Sequence, residues 1–184
     1  DGLVDLGHSP YDIDTALKSW GMPRPPFAAA DAHGISNVAK HTRPAGGTNW
    51  SQTLVEHGIS GFYSSEDAPA PSPDALGIID ANRAPKDAMP ASQIVRLMLG
   101  AVANEGARML RDRTVARASD VDVFSVYSGM IPRWRGGLLH AIGAEGLLQV
   151  TRAMAALDHP DQEFWRPEPV FADLVKNGRT FDQV

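Results

Sequence analysis

The side chains that could do chemistry in this 184-residue chain are six histidines and a set of carboxylates and arginines, since there is no cysteine. A thiolate nucleophile, a disulfide framework and a thiolate metal site are therefore excluded. The histidines have neither H-x-x-x-H nor H-E-x-x-H spacing, so we expect no metal site. The segment H-G-I-S-G at 57–61 fails the G-x-S-x-G pattern of a serine nucleophile by its spacing. The sequence adds nothing in favour of a hydrolase.

A second candidate is the run Arg133, Trp134, Arg135, which two glycines follow. Two guanidinium groups on a glycine-rich turn could bind an anion such as a phosphate. The structural alternative is that the guanidinium groups stack on Trp134, or pair with Asp122 or Glu105, and so lock the turn. We favour the structural alternative and keep anion binding as the second interpretation.

The element that must position these residues is a long amphipathic helix predicted over 92–113. At 100° per residue, one arc of this helix is apolar and the opposite arc holds Arg96, Asn104, Arg108 and Arg111. The apolar arc collects Ile94, Val95, Met98, Leu99, Val102, Ala103, Gly106, Met109 and Leu110. This arc is about half the wheel, wider than a surface helix needs, so we expect a central helix packed on two sides. Glu105, at the edge of the arc, is interpreted as a partner of Arg108 rather than as a functional buried acid.

The other elements also have helical signals. Ser9 and Pro10 begin a helix that should turn Ile13, Ala16, Leu17 and Trp20 inward and end at Gly21. Further helices are predicted over about 27–34, then another through 38, and over 50–56, 119–127, 138–144, 147–157 and 170–177. Period-two alternation of the kind that strands have is missing, so the fold class is all-α.

The stretch 64–90 is the least regular part, with prolines at 69, 71, 73, 85 and 90. We interpret it as a Pro/Ala-rich linker from which 75–79 docks as an apolar patch. The segments 44–48 and 158–167 are predicted to be loops.

Composition sets the broad class. The chain is 43% hydrophobic and 21% charged, which is typical of an ordinary globular protein. Its net charge of −5 argues against nucleic-acid binding. The long helix is too short and too charged to span a membrane.

The chain also repeats itself. Ile13-Asp14 corresponds to Val121-Asp122, Gly34 to Gly146, and Leu54-Val55 to Leu174-Val175. We therefore predict two tandem, duplicated helical repeats packed face to face, with a first repeat at 1–63, the linker at 64–90 and a second repeat at 91–184.

In this alignment the long helix of the first repeat is represented only by its last turn, at 1–6. The first repeat is then truncated at its N-terminus. Ile13, Ala16, Leu17, Trp20 and Phe27 would face a vacant groove, through which the chain could self-associate.

These features resemble the C-terminal helical domains of 3-hydroxyacyl-CoA dehydrogenases, specifically the tandem pair in multifunctional fatty-acid β-oxidation proteins. The matching segments are S-P at 9–10, I-D at 13–14, G-M-P at 21–23, P-F at 26–27, N-E-G-A-R at 104–108, D-V-D at 120–122, P-R-W-R-G-G at 132–137, F-W-R-P at 164–167 and G-R-T-F at 178–181. The resemblance implies two 6-phosphogluconate-dehydrogenase-C-terminal-like helical repeats.

The family's catalytic His and Glu lie on an upstream NAD-binding Rossmann domain, and its catalytic Asn on the first helix of the first repeat. This sequence has no G-x-G-x-x-G, and the helix with the Asn would fall before residue 1. Asn104 is not its equivalent. We therefore expect no catalytic residue and no cofactor bound by this chain, with NAD bound only in the intact enzyme.

For the substrate, the resemblance implies that Gly21, Met22, Pro23 and Phe27 border the acyl pocket. The alternative is an ordinary apolar turn between two helices. The anion at Arg133 and Arg135 would be a CoA phosphate.

The sequence thus predicts a C-terminal substrate-side or dimerisation domain of an NAD-dependent 3-hydroxyacyl-CoA dehydrogenase. Its partners would be acyl-CoA and the upstream Rossmann domain, with no nucleic acid and no membrane span, and its location cytoplasmic. The alternative is a stand-alone, non-catalytic helical module that binds a protein partner or acyl-CoA.

Overall fold

The computed structural model describes residues 1–41, 47–64, 70–83 and 88–184, and helices account for the regular structure in these ranges. The β pairing in the same ranges is one isolated bridge between Tyr63 and Pro71. The predicted all-α class is confirmed. In the described part of the chain, none of the helices combines the length and the apolar character that crossing a membrane requires.

The described residues of the first half contain six helices, and the ends of those predicted at 10–20, 27–34 and 50–56 lie within one residue of the predicted positions. They are α1 (Gly2–Asp5), α2 (Pro10–Trp20), α3 (Pro26–His33), α4 (Ile35–His41), α5 (Trp50–Glu56) and α6 (Pro73–Asn82). The Ser9 hydroxyl caps α2 by accepting from the Tyr11 amide, and Gly21 ends it at φ +115°. That left-handed conformation is open to glycine at little cost, so the chain turns sharply into 22–25.

Helix α6 was not predicted, because its residues were assigned to the linker. Ser72 caps it by accepting from the Ala75 amide, and Pro73 occupies its first turn. Ala75 and Ile79 are fully buried, so the predicted docking of 75–79 is confirmed. Pro69 and Pro85, which supported the linker interpretation, lie outside the described residues, as does most of the loop predicted at 44–48.

The second half also has six α-helices. They are α7 (Ala91–Arg111), α8 (Ala118–Tyr127), α9 (Leu138–Glu145), α10 (Leu147–Ala155), α11 (Gln162–Trp165) and α12 (Pro169–Asn177). Short 3₁₀ turns cover Arg133–Arg135 and Phe181–Gln183. The segment 158–167 is not wholly a loop, because Asp161 caps the single turn of α11 by accepting from the Phe164 amide.

Helix α7 is the predicted central helix and packs against α2, α8, α9 and α10. Close approach depends on residues without bulk: a Cβ at Gly100 would lie 2.8 Å from the Met154 sulfur, and one at Gly106 would lie 3.1 Å from Val121. Asn104 was placed on the exposed arc, and this is wrong, since it is 1% exposed. Its side-chain amide makes hydrogen bonds with the backbone of Arg166 and Glu168, which a helical wheel cannot reveal.

The expected vacant groove on the first half is also wrong. Ile13, Ala16, Leu17, Trp20 and Phe27 are all buried. The four residues on α2 are covered because α2 packs on α7 of the second half. Phe27, on α3, packs against Phe62. Self-association through that face loses the reason for which it was expected.

Matching local geometries in the two halves support the duplication, which stays a prediction together with its boundaries at 1–63 and 91–184. Gly34 links α3 to α4 at φ 79°, ψ 114°, and Gly146 links α9 to α10 at φ 88°, ψ 103°. Leu54 and Leu174 are both fully buried in the helices that precede the next glycines.

A pair of glycine substitutions tests the packing of the central helix. Gly100→Ala should lower the free energy of unfolding by about 1–3 kcal/mol, because the new methyl group overlaps Met154 and Val150. Gly77→Ala, in the middle of α6 with no atom near its Cβ position, should instead raise stability by about 0.5–1 kcal/mol. Urea titrations of the two variants and the wild-type chain measure both changes, and equal effects of the same sign would contradict this packing.

Candidate functional site

The turn after α2 is held by a carboxylate from the helix itself. Asp14 accepts from the Phe27 amide at 3.1 Å, from the Ala28 amide at 2.8 Å and from the Tyr63 hydroxyl at 2.9 Å. The two amides belong to the first turn of α3, where backbone donors have no partner within the helix. Asp14 therefore fixes the angle between α2 and α3 and the course of residues 21–25 between them.

Burial raises the pKa of Asp14, and the three donors oppose that rise by stabilising the carboxylate. Burial also raises the pKa of Tyr63 well above its usual range, and the neighbouring Asp14 adds to the rise. The Tyr63 hydroxyl therefore keeps its proton and donates a hydrogen bond to Asp14. Both groups are committed to holding the turn.

The second half repeats this arrangement. Asp122 accepts from the amides of Leu139 and His140, at 2.6 and 3.2 Å, and so caps the start of α9. Gly137 allows the approach, because a Cβ there would lie 2.6 Å from the Asp122 backbone. Asp122 of the D-V-D segment, on α8, thus contacts the end of the P-R-W-R-G-G segment.

An exposed ion pair lies at the first turn of α9. His140 Nδ1 lies 2.9 Å from Asp182 Oδ1, and this hydrogen bond raises the pKa of His140. The pair attaches the C-terminal 3₁₀ turn to α9.

The arginines of this turn do not behave alike. The Arg135 guanidinium lies 4.3 Å from the ring centres of both Trp20 and Trp134, and its Nη2 donates to the Trp20 carbonyl at 2.8 Å. Trp20 belongs to the first half, so Arg135 clamps the two halves together, as the structural interpretation requires of it. Arg133 is exposed. The partners suggested earlier, Asp122 and Glu105, are occupied elsewhere.

The four residues that the sequence assigned to the acyl pocket lie in three different environments. Met22 and Pro23 line an apolar groove of about 680 Å³ between α2–α3 and α7–α8. Phe27 lines a smaller cavity of about 170 Å³ behind α3, and Met98 and Pro26 border both. Gly21 lies against Trp134, since a Cβ at Gly21 would be 2.6 Å from the indole.

The groove has a mixed wall. Its other lining residues are Leu17, Arg24, Pro26, Ala29, His33, Met98, Leu99, Val102, Phe124, Ser128, Gly129, Met130 and Leu138. Sequence reasoning did not assign any of the second-half members to a site. Met98, Leu99 and Val102 did appear on the predicted apolar arc, but periodicity cannot say whether an apolar side chain is packed or faces a groove.

The polar groups near the end of α7 are structural. Asn104 donates to the Arg166 carbonyl at 2.9 Å and accepts from the Glu168 amide at 2.7 Å. Arg108 pairs with Glu105 at 3.2 Å, which confirms the predicted helical pair, and with the buried Glu168 at 3.1 Å. Among the described residues no cluster of three or more carboxylate or imidazole side chains could hold a metal ion.

Comparison with known proteins shows which chains this one is similar to. It is 26% identical over 200 residues to the peroxisomal fatty acid beta-oxidation multifunctional protein AIM1 of Arabidopsis thaliana, covering 96% of this chain and 28% of that protein. The corresponding Oryza sativa subsp. japonica protein is 26% identical over 198 residues, 95% of this chain and 27% of the relative. The fatty acid oxidation complex subunit alpha of Idiomarina loihiensis is 22% identical over 198 residues, which cover 98% of this chain and 28% of that protein.

The homologues of this chain are multifunctional fatty-acid β-oxidation proteins. The resemblance drawn from the sequence is confirmed. No family model matches the chain, and the chain spans about 28% of the length of these homologues.

The cytoplasmic location expected from the sequence is wrong. The two plant homologues are named as peroxisomal, which points to peroxisomes rather than to the cytoplasm. Targeting addresses are short signals read by receptors and leave no trace in composition or packing.

The two aspartate caps give a stability prediction. Asp14→Ala should lower the free energy of unfolding by about 2–3 kcal/mol, because it leaves buried amides without an acceptor. Asp122→Ala should cost less, about 1–2 kcal/mol, since that carboxylate is half-buried. Asp12→Ala, on the exposed face of the same helix as Asp14, is the control and should cost below about 1 kcal/mol. Chemical denaturation measures all three; a loss from Asp12→Ala as large as that from Asp14→Ala would contradict the capping.

The His140–Asp182 pair gives a pH prediction. A histidine whose pKa is raised by folding contributes stability that is complete below its unfolded pKa of about 6.5 and is lost as pH rises through the folded pKa. Asp182→Asn should therefore lower the free energy of unfolding more at about pH 5.5 than at about pH 8.5. The difference should be under about 1 kcal/mol, because the pair is exposed, and chemical denaturation at the two pH values measures it. Asp173→Asn is the control, since Asp173 pairs with Arg179, whose charge is constant over this range. An equal effect of Asp182→Asn at both pH values would disprove the linkage.

Proposed function

We propose that this chain is the C-terminal, substrate-side part of an NAD-dependent 3-hydroxyacyl-CoA dehydrogenase of fatty-acid β-oxidation. The observation that carries the proposal is the match to multifunctional β-oxidation proteins over 95% or more of the chain. It is supported by an apolar groove beside Met22 and Pro23, the residues that the family resemblance assigns to the acyl pocket.

The reaction oxidises the 3-hydroxyl group of an acyl-CoA to a ketone and transfers hydride to NAD. The described residues of this chain do not fit NAD. They form no strand that leads through a glycine-rich turn into a helix, which is the geometry that holds a pyrophosphate. The proposal therefore assigns NAD and the catalytic base to a Rossmann domain outside this chain, and derives no chemical step from the residues here.

The contribution of this chain is then to bind and position. Asp14 and the Arg135 clamp hold the turn 21–25 in place, and this turn presents Met22 and Pro23 to the groove. A wall fixed by buried hydrogen bonds keeps the acyl chain in one orientation, which is how a part remote from the chemistry lowers the entropic cost of reaction.

The alternative, a stand-alone module that binds a protein partner, has one observation in its favour. Phe124 and Tyr127 on α8 and Trp134 in the 3₁₀ turn are 67%, 86% and 69% exposed. Large exposed aromatic side chains are common where another protein surface docks. In the proposed function the same patch would be covered by the rest of the enzyme.

A domain replacement distinguishes the two functions. The matched C-terminal segment of Arabidopsis AIM1 is replaced by this chain, and the hybrid is mixed with NAD and a 3-hydroxyacyl-CoA while nicotinamide absorbance is followed. We expect turnover by the hybrid, none by AIM1 without the segment, and none by this chain alone with NADH and acetoacetyl-CoA. Unaltered AIM1 gives the reference rate.

Two results would overturn the proposal. One is turnover by this chain alone, in protein free of host enzymes. The other is a hybrid that elutes as a folded protein and is no more active than the truncated AIM1.

A further inference from the structure

The groove has one wall from each half of the chain. Met22, Pro23 and Ala29 face it from the turn and α3 of the first half, and Met98, Val102 and Met130 face it from α7 and the turn after α8. The volume of about 680 Å³ lies within the range of small-molecule sites, roughly 300–1,000 Å³. The second wall is the part that the family resemblance did not assign to the substrate.

The lining is apolar and adaptable. Three of the six methionines in the chain, Met22, Met98 and Met130, are in it. Methionine is unbranched, flexible and polarisable, so it adjusts to ligands of varying shape. A flexible hydrocarbon chain is a better match for such a wall than a rigid planar ring.

The ionisable side chains of the groove indicate which kind of apolar ligand it would bind. Among the described lining residues the ionisable side chains are Arg24 and His33, and no carboxylate is present. Within the described part of the chain, neither side chain has a hydrogen-bond or ion-pair partner. The positive charge of Arg24, on a chain with a net charge of −5, favours a ligand with an anionic head.

The size of the groove argues against a helix of a partner protein. A helix with side chains is about 10 Å wide, so roughly 680 Å³ would hold only about one and a half turns of it. An extended acyl chain is much thinner and would use the whole groove.

We propose that the second half of this chain sets acyl-chain length: the groove takes the acyl chain of an acyl-CoA, and Met98 and Met130 determine how long a chain fits. This specificity role rests on the proposed function for the identity of the ligand. Met98 is the methionine chosen for the test because its side chain borders both the groove and the 170 Å³ cavity.

The test is a binding measurement on the 184-residue chain with butanoyl-, octanoyl- and hexadecanoyl-CoA, each below its micelle concentration, by calorimetry. For the wild type, the dissociation constant should fall with chain length, by up to roughly three- to fourfold per CH₂ while the groove fills. Beyond the length that fills the groove, the gain should stop.

Two variants change the length in opposite directions. Met130→Trp fills the second-half wall and should weaken hexadecanoyl-CoA binding tenfold or more, with butanoyl-CoA unchanged. Met98→Ala opens the groove into the smaller cavity and should raise the preference for hexadecanoyl-CoA over octanoyl-CoA. Val123→Trp adds the same bulk on α8 at an exposed position that does not line the groove, and should change nothing. General loss of folding cannot produce shifts in both directions.

Several outcomes overturn the proposal: affinity independent of chain length, an equal effect of Met130→Trp and Val123→Trp, or hexadecanoate binding as tightly as its CoA ester. A dimer that Met130→Trp dissociates, without acyl-CoA binding, would instead assign the groove to self-association.

The binding readout needs neither NAD nor turnover. An inactive AIM1 hybrid with length-dependent binding therefore rejects the proposed function alone, and an active hybrid with unaltered length preference in Met130→Trp and Met98→Ala rejects this inference alone.

Discussion

The structure depends on the burial of α7 against both halves of the chain. Gly100, Ala103 and Gly106 reduce its bulk where α8 and α10 approach, and α2 covers another side. The contact between α2 and α7 joins the two halves, which the repeat pattern predicted to pack against each other. Leu17 of the first half is completely buried, because α2 packs on α7 of the second half. Burial of a leucine of this kind contributes about 1.5–3 kcal/mol.

In each half, an aspartate side chain caps the helix that follows a sharp turn. A helix that follows a sharp turn begins with amide groups that have no partner, and an aspartate from the preceding helix accepts from them. Asp14 and Asp122 do this for α3 and α9. Taking a carboxylate out of water is costly, and the raised pKa values of both groups reflect that cost. The donors in each turn offset it, so the two turns become rigid walls. The groove lies where one of these walls faces α7 and α8.

Local signals predicted most of the elements, because caps act over a few residues. Ser9 with Pro10, and the glycines at 21 and 178, gave helix ends that the structure reproduces. Ser72 with Pro73 is the same signal, but the surrounding prolines and alanines concealed it. Burial of Asn104 could not be predicted, because its partners lie some 60 residues away and only the fold brings them together. The groove is beyond sequence reasoning for the same reason: Met22 and Met130 are remote in the chain, and no pattern places them opposite each other.

Most of the polar side chains around the turns and α7 already have structural hydrogen-bond or ion-pair partners, whereas Arg24 and His33 at the rim of the groove have none among the described residues. Asp14, Asp122 and Asn104 are used in capping, Glu168 neutralises two arginines, and Arg135 is stacked between two indoles. Each of these groups would have to break a structural contact before it could bind substrate, and that loss would oppose binding. Arg24 and His33 face no such cost, since the structure gives their side chains no polar partner among the described residues. An anion that binds Arg24 displaces only water and no protein partner, so this residue can orient the ligand that we propose for the groove.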